Sequence, residues 1–186
     1  SDNDKFKDLQ AGYLLFVGRL EERKNIIGII KTFELLKEKH GLPHKLVLAG
    51  KPGHGYEEIF RYISDSVYRS DIILPGFVSN EEKCKLFGKA DVFMFPTFYE
   101  GFGLPILEAQ SMGVPVVVSN ISSVEEVTEG SAVIVDPNEP DFIAERTNAL
   151  LKDRLYRDSV IKKGYENVKR FSWEKCAASI ANLLTG

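Results

Sequence analysis

Residues 13–49 read YLLFVGRLEERKNIIGIIKTFELLKEKHGLPHKLVLA. The stretch opens on an apolar pentapeptide, Tyr13-Leu-Leu-Phe-Val17, and closes on a second, Lys45-Leu-Val-Leu-Ala49. Between them Ile26, Ile29, Ile30, Phe33, Leu35 and Leu36 recur near helical spacing. Asn25 stands where a helix would begin and Gly41 where it would stop. Neither pentapeptide alternates apolar with polar residues. A strand covered on both faces carries that pattern, and such strands belong to parallel sheets. The stretch therefore predicts a strand, a crossover helix and a parallel strand.

Reading outward, the unit repeats. Tyr56 to Val67 is expected to be a helix and Asp71-Ile-Ile-Leu74 a third strand, ended by Pro75-Gly76. Ser79 with Glu82 three residues later is a capping-box signature for the next helix. Asp91-Val-Phe-Met-Phe95 predicts a fourth strand, stopped by Pro96. A loop runs to Pro105, and a helix is expected to continue to about Met112, with Gly113 at its end. Val116-Val-Val118 and Ala132-Val-Ile-Val135 predict a fifth and a sixth strand. From Asp141 onward only helices are expected: Phe142 to Lys152, Leu155 to Phe171 and Trp173 to Leu184. No repeat, linker or low-complexity tract interrupts the chain. The expected fold is one α/β domain over residues 1–186, a doubly wound Rossmann-like unit with a six-stranded parallel sheet and extra C-terminal helices.

Composition narrows the function. The 186 residues are 44% hydrophobic and 27% charged, as in a globular domain. Lys and Arg total 24 against 27 Asp and Glu, a formal net charge of -3. No bulk positive field draws the chain to nucleic acid, although a local basic patch is compatible with that balance. Apolar runs such as Tyr13 to Val17 and Val92 to Phe95 are too short to cross a bilayer. The polar N-terminus carries no signal-peptide pattern, so a cytoplasmic location is expected. Cys84 and Cys176 lie far apart, each inside a helical pattern, and are expected to be buried, inert thiols rather than a disulfide. His40, His44 and His54 show no metal-ligand spacing, and no structural zinc is expected.

A doubly wound sheet binds ligands at the carboxyl ends of its strands, so the loops there carry the candidates. The first is Gly18-Arg-Leu-Glu-Glu-Arg-Lys-Asn25. Lys24 begins a helix whose dipole it opposes, and an anion held by Arg19, Lys24 and that helix end would remove the conflict. Equally, Glu21 and Glu22 could neutralise Arg23 and Lys24 in a solvated loop. The second, Gly50-Lys-Pro-Gly-His-Gly55, is glycine-rich but lacks the Gly-Lys-Ser/Thr of a Walker A loop; by itself it reads as a turn. The third, Thr97-Phe-Tyr-Glu-Gly-Phe-Gly-Leu-Pro-Ile-Leu-Glu108, is the most informative. Gly101 and Gly103 would expose backbone N–H groups at the positive end of a helix, a cradle for an anion. Glu100 and Glu108 bracket it, and carboxylates accept from vicinal hydroxyls. A phosphate cradle between two hydroxyl acceptors outlines a nucleotide-sugar.

Gly18-Arg19 with Lys24, Glu100-Gly-Phe-Gly-Leu-Pro-x-x-Glu108 and Gly113-x-Pro-Val-Val117 together closely resemble the family 4 retaining glycosyltransferases, also called group 1, of the two-domain GT-B fold. Two glutamates separated by seven residues are that group's signature. The resemblance runs in order from about Tyr13 to Trp173, and Asp136-Pro137 and Phe171-Ser-Trp173 also fit it. It implies that Arg19 and Lys24 hold the donor diphosphate and that Glu108 binds ribose. It implies that Glu100 contacts the sugar, making Arg19, Lys24 and Glu100 the catalytic set. Backbone groups of Gly101, Phe102, Gly103 and Leu104 would meet phosphate or sugar, and Gly18, Gly50, Lys51, Phe77 and Val78 would border phosphate and base. It also implies an NDP-sugar donor, UDP- or GDP-linked, with no metal and no further cofactor.

Enzymes of this kind have two such domains, and the acceptor site lies on the N-terminal one. The chain therefore resembles the C-terminal, donor-binding half, expected to transfer nothing without its N-terminal domain or partner subunit. Any peripheral membrane association would come through the full-length enzyme. Hexosyl transfer of mannosyl or glucosyl type is the expected activity. A noncatalytic nucleotide- or carbohydrate-binding module and a sugar-nucleotide epimerase relative remain the alternatives. A flavodoxin-like receiver would need acidic residues after the first strand, where Gly18-Arg19 stands. A phosphorylase would need a pyridoxal-phosphate lysine site, for which the sequence has no signal.

Overall fold

The computed structural model describes residues 6, 9, 10 and 12–171. Six strands form one sheet: β1 (Tyr13–Val17), β2 (Lys45–Ala49), β3 (Ile72–Gly76), β4 (Ala90–Phe95), β5 (Val116–Ser119) and β6 (Val133–Val135). Every pairing is parallel, in the order β3-β2-β1-β4-β5-β6. The helices are α1 (Ile26–His40), α2 (Tyr56–Asp65), α3 (Asn80–Phe87), α4 (Leu104–Ser111), α5 (Ser122–Thr128), α6 (Pro140–Lys152) and α7 (Arg154–Val168). Short 3-10 turns occupy Glu22–Lys24 and Arg69–Asp71. This is the expected doubly wound sheet, and its order reverses between β1 and β4.

All five residues of β1 and all four of β5 are buried. Adjacent residues of a strand point to opposite faces, so helices must cover both sides of the sheet. An aromatic ladder crosses its centre: Phe16 stacks on Phe95 at 5.9 Å, Phe95 on Phe93 at 5.5 Å, and Phe87 of α3 meets Phe93 edge-on at 5.3 Å. Such pairs add about 1 kcal/mol each beyond the area they bury. The Tyr13 hydroxyl donates to the Leu86 carbonyl at 2.7 Å, tying β1 to α3, and burial pushes its phenol well above the usual range.

Several boundaries differ from expectation. β3 runs through Pro75 to Gly76 instead of stopping at Leu74. It is an edge strand, where the missing proline N–H costs no ladder bond. α2 ends at Asp65, not Val67, because the Ser66 hydroxyl leaves the helix to donate to Glu34; Val67 is 84% exposed. α5 was not expected at all: Ser122–Thr128 is short and mostly polar or β-branched, and carries no legible period. α6 begins at Pro140, two residues before Phe142, using proline in its first turn. α7 covers Arg154–Val168 and stops short of Phe171, started by the Asp153 side chain accepting from the Tyr156 N–H. The capping box at Ser79 and Glu82 is present. Cys84 is exposed, not buried: on α3 the inward positions fall to Leu86 and Phe87. Cys176 and the helix expected over Trp173 to Leu184 lie outside the described residues.

At the amino ends of the strands, Asp91 holds three elements together. His44 Nε2 lies 2.9 Å from its Oδ2, Arg157 Nη2 donates to Oδ1 at 3.1 Å, and Arg157 Nη1 donates to the Asp91 carbonyl at 2.7 Å. The His44 hydrogen bond and the Arg157 charge outweigh partial burial and hold the carboxyl below the usual aspartate range. A depressed carboxyl stabilises the fold above its unfolded value and loses that contribution as pH falls through the folded one. Asp91→Asn is therefore expected to cost about 1 kcal/mol at neutral pH, the group being partly exposed. Urea unfolding monitored from neutral pH to about pH 3 should show the wild-type and variant curves converging at the acid end.

Candidate functional site

The reversal between β1 and β4 sends their following loops apart, and a crevice opens at the carboxyl edge. One wall is two loops zipped together. Leu20 N–H donates to the Lys51 carbonyl and Gly53 N–H to the Leu20 carbonyl, each at 2.9 Å. The close approach demands glycine. A Cβ on Gly50 would lie 1.7 Å from the Gly18 carbonyl oxygen, and one on Gly53 would meet the Arg19 stem at 2.7 Å. This pair of loops and the start of α3 line a cleft of about 560 Å³.

That cleft gathers six of the residues expected from sequence: Gly18, Arg19, Gly50, Lys51, Phe77 and Val78. Arg19 is exposed in it and has no ion-pair partner among the described residues. The Lys51 ammonium sits over the Phe77 ring, 4.6 Å from its centre. Phe77 is 62% exposed and Val78 buried, so the cleft offers one flat ring face beside an apolar floor. A heteroaromatic base fits such a surface.

The second cluster lies on the loop after β4. Gly103 caps α4 in the left-handed conformation, φ 84°, where its missing Cβ also avoids Ile106 Cδ1 at 2.8 Å. Pro105 follows within the first turn and has no N–H, and the Ile106 N–H donates to the Gly103 carbonyl at 2.8 Å, so Leu104 carries the first-turn N–H left for a ligand. Leu104 is 59% exposed. Phe102 packs edge-on against Phe171 at 5.8 Å.

Lys24 and Glu100 form an ion pair across the crevice, both side chains largely buried, with the ammonium 5.0 Å from the centre of the Phe95 ring. Gly101 N–H donates to Glu100 Oε1 at 3.0 Å, and Ser123 Oγ donates to the Glu100 carbonyl at 2.6 Å. Burial works to raise the Glu100 carboxyl, but Lys24 and the backbone N–H groups of Gly101 and Phe102 outweigh it and hold it below the usual glutamate range. Lys24 is thus not neutralised by Glu22. Arg23 pairs with Glu21 at 2.6 Å instead. Lys24 lies against Glu100, while Arg19 faces the open cleft.

Asn25 begins α1 as expected but does not cap it with its side chain. Its amide donates to the Pro96 carbonyl at 2.9 Å and the Pro137 carbonyl at 2.8 Å, while its backbone takes the left-handed conformation, φ 56°. The loops after β1, β4 and β6 therefore meet at one buried side chain, 5% exposed.

Glu108, on α4, is joined to Lys83 of α3, whose Nζ lies 2.5 Å from Glu108 Oε1. Lys83 also lines the cleft and was not singled out by the sequence. No local signal marked it, because the fourth residue of α3 lies past the turn where the helix dipole acts. The described residues contain no group of three or more His, Cys, Asp or Glu gathered around one point. None of their helices is long and apolar enough to cross a membrane.

Two outcomes follow from this geometry. Gly50→Ala must push the two loops apart, and is expected to cost roughly 2 kcal/mol or more. In a melt that is a fall of roughly 4–8 °C. Lys24→Met leaves the Glu100 carboxylate without its cation. The Glu100 carboxyl resonance is then expected to titrate at higher pH than in the wild type, with about 2 kcal/mol of stability lost at neutral pH. Because Glu100 is depressed in the wild type, that difference should shrink as pH falls through its titration.

A family model described as "Glycosyl transferases group 1" matches residues 1–167. The chain is 36% identical to O-antigen chain mannosyltransferase B of Escherichia coli over 96% of its length, and spans 47% of that protein. It is 33% identical to an uncharacterised glycosyltransferase of Methanocaldococcus jannaschii over 91% of its length, and spans 44% of it. The chain thus spans less than half the length of these relatives. Among solved structures it superposes on TarM with a TM-score of 0.81 at 21% identity, over 95% of this chain and 36% of that one. It superposes on the C-terminal domain of a group 1 family protein, LpcC, from Francisella tularensis with a TM-score of 0.73 at 22% identity, over 86% of this chain and 85% of that one. With the doubly wound sheet, the glycine-capped α4 and the family match in agreement, the chain belongs to the group 1 glycosyl transferases.

Proposed function

We propose that this chain is the donor-binding domain of a retaining hexosyltransferase that uses an NDP-sugar, and that it transfers nothing without an N-terminal half carrying the acceptor site. The observation that carries this reading is the crevice at the sheet reversal. It brings Arg19, which has no ion-pair partner among the described residues, beside Phe77 and Lys83, and Lys83 ties this wall to Glu108 of α4. Each feature answers one part of a nucleotide-sugar. The base lies against Phe77 and Val78. The ribose hydroxyls donate to Glu108. The diphosphate meets Arg19 and the backbone N–H groups at Gly103 and Leu104, and the sugar approaches Glu100, which the Gly101 and Phe102 N–H groups hold.

In the transfer, the bond from the anomeric carbon to the diphosphate oxygen breaks as the acceptor hydroxyl oxygen bonds to that carbon, and the hydroxyl proton passes to the departing diphosphate oxygen. The leaving diphosphate gains charge, which Arg19 and the positive end of α4 stabilise without a metal ion. Lys24 contributes differently. Its charge is already shared with Glu100, so it holds that carboxylate ionised beside the sugar while remaining within the same positive field.

Mannosyl transfer is favoured over glucosyl because several relatives, including the serotype-specific mannosyltransferase WbdA of Escherichia coli, carry that activity in their names. A cytoplasmic site of action fits the supply of nucleotide-sugars, and membrane association would come through the full-length enzyme.

Isothermal titration with GDP, UDP and ADP and their hexose conjugates tests the reading. Weak binding is expected for the wild type, lowered about tenfold or more by Arg19→Ala and by Glu108→Ala. Equal binding by both variants overturns the site. Hexosyl transfer by the isolated chain overturns its dependence on a second half.

A further inference from the structure

Lys83 has no role in α3 that explains it. It stands fourth in an eight-residue helix, past the first turn, so the helix dipole gives it no place there. Its helix neighbours do not need it. Glu82 Oε2 accepts from the Ser79 N–H at 2.7 Å in the capping box, and Glu81 pairs with Lys85 at 3.3 Å. Lys83 instead reaches out of α3, across the mouth of the cleft, to Glu108 Oε1 on α4. Its side chain is 21% exposed and that of Glu108 41%, so the pair sits at the rim, open to a ligand on one side.

We propose that Lys83 is a positioning residue of the donor site, fixing the Glu108 carboxylate for the ribose and neutralising it beside the diphosphate. This rests on the reading of Glu108 as the ribose acceptor. The physical reason has two parts. A carboxylate has two oxygens with roughly four acceptor directions. Lys83 occupies one at Oε1, which orients the group and leaves Oε2 free for a vicinal diol. A free carboxylate facing a diphosphate would also repel it. With Lys83 in place the pair presents no net charge, and Arg19 keeps the cleft attractive to an anion. The pair further links the element that follows β3 to the element that follows β4. It therefore sets the distance between the base-binding wall at Phe77 and Val78 and the ribose acceptor.

The test uses the full chain with GDP, UDP and ADP and their 2′-deoxy counterparts. The wild type is expected to prefer ribose to deoxyribose, and Glu108→Gln to lose that preference. Lys83→Met should weaken the ribonucleotides about tenfold and erase most of the preference, while Lys83→Arg restores both. If Lys83→Met weakens ribo- and deoxyribonucleotides equally, Lys83 acts on the phosphates alone and the proposal is overturned. If Lys83→Met changes neither affinity nor preference, the pair is a surface contact and the proposal is likewise overturned. Absence of nucleotide binding by the wild type overturns the donor-site reading, and this proposal with it.

Discussion

The order of the sheet reverses at β1 and β4, and both strands are packed on each face, so the chain can open a crevice only where their following loops part. Those loops diverge, and something must hold the parting at a fixed width. Lys24 with Glu100 does this across the gap, and the Asn25 amide does it beneath, reaching the Pro96 and Pro137 carbonyls. A largely buried ion pair is an uncertain source of stability, because desolvation offsets its attraction. Its value here is positional. It rests on Phe95, the centre of the aromatic ladder, so the site is referred directly to the core.

The charge pattern around the crevice follows one scheme. Two cations from segments that follow β1 and β3, Lys24 and Lys83, are each matched to a glutamate on the segment that follows β4, Glu100 and Glu108. Lys51 lies on an aromatic ring, and Arg19 remains open in the cleft. The result is a site whose carboxylates are each oriented by a lysine while its uncommitted charge is positive. A formal net charge of -3 over the whole chain conceals that local arrangement.

Much of this was legible beforehand because it depends on local sequence. The unalternating apolar runs announce strands buried on two faces, and Ser79 with Glu82 announces a helix start. Gly103 followed by Pro105 announces the start of α4. The failures are equally local. α5 has no apolar period, Pro75 reads as a breaker until its strand is known to be an edge, and Cys84 reads as buried until the face of α3 that meets the sheet is known. Asn25 was placed correctly at the start of α1, yet its side chain serves residues 71 and 112 positions away, which no helix-capping rule anticipates.

The sequence alone determined the class of fold, the order of its elements and the residue types at the crevice, because hydrophobic period and glycine placement act over a few residues. It also determined the family, through motifs whose spacing survives in one dimension. The pairing of charges was decided only in three dimensions. Lys24 meets Glu100 rather than Glu22, and Lys83 meets Glu108, because the sheet brings distant strand ends together; for Glu100, burial and the Gly101 N–H complete the pairing.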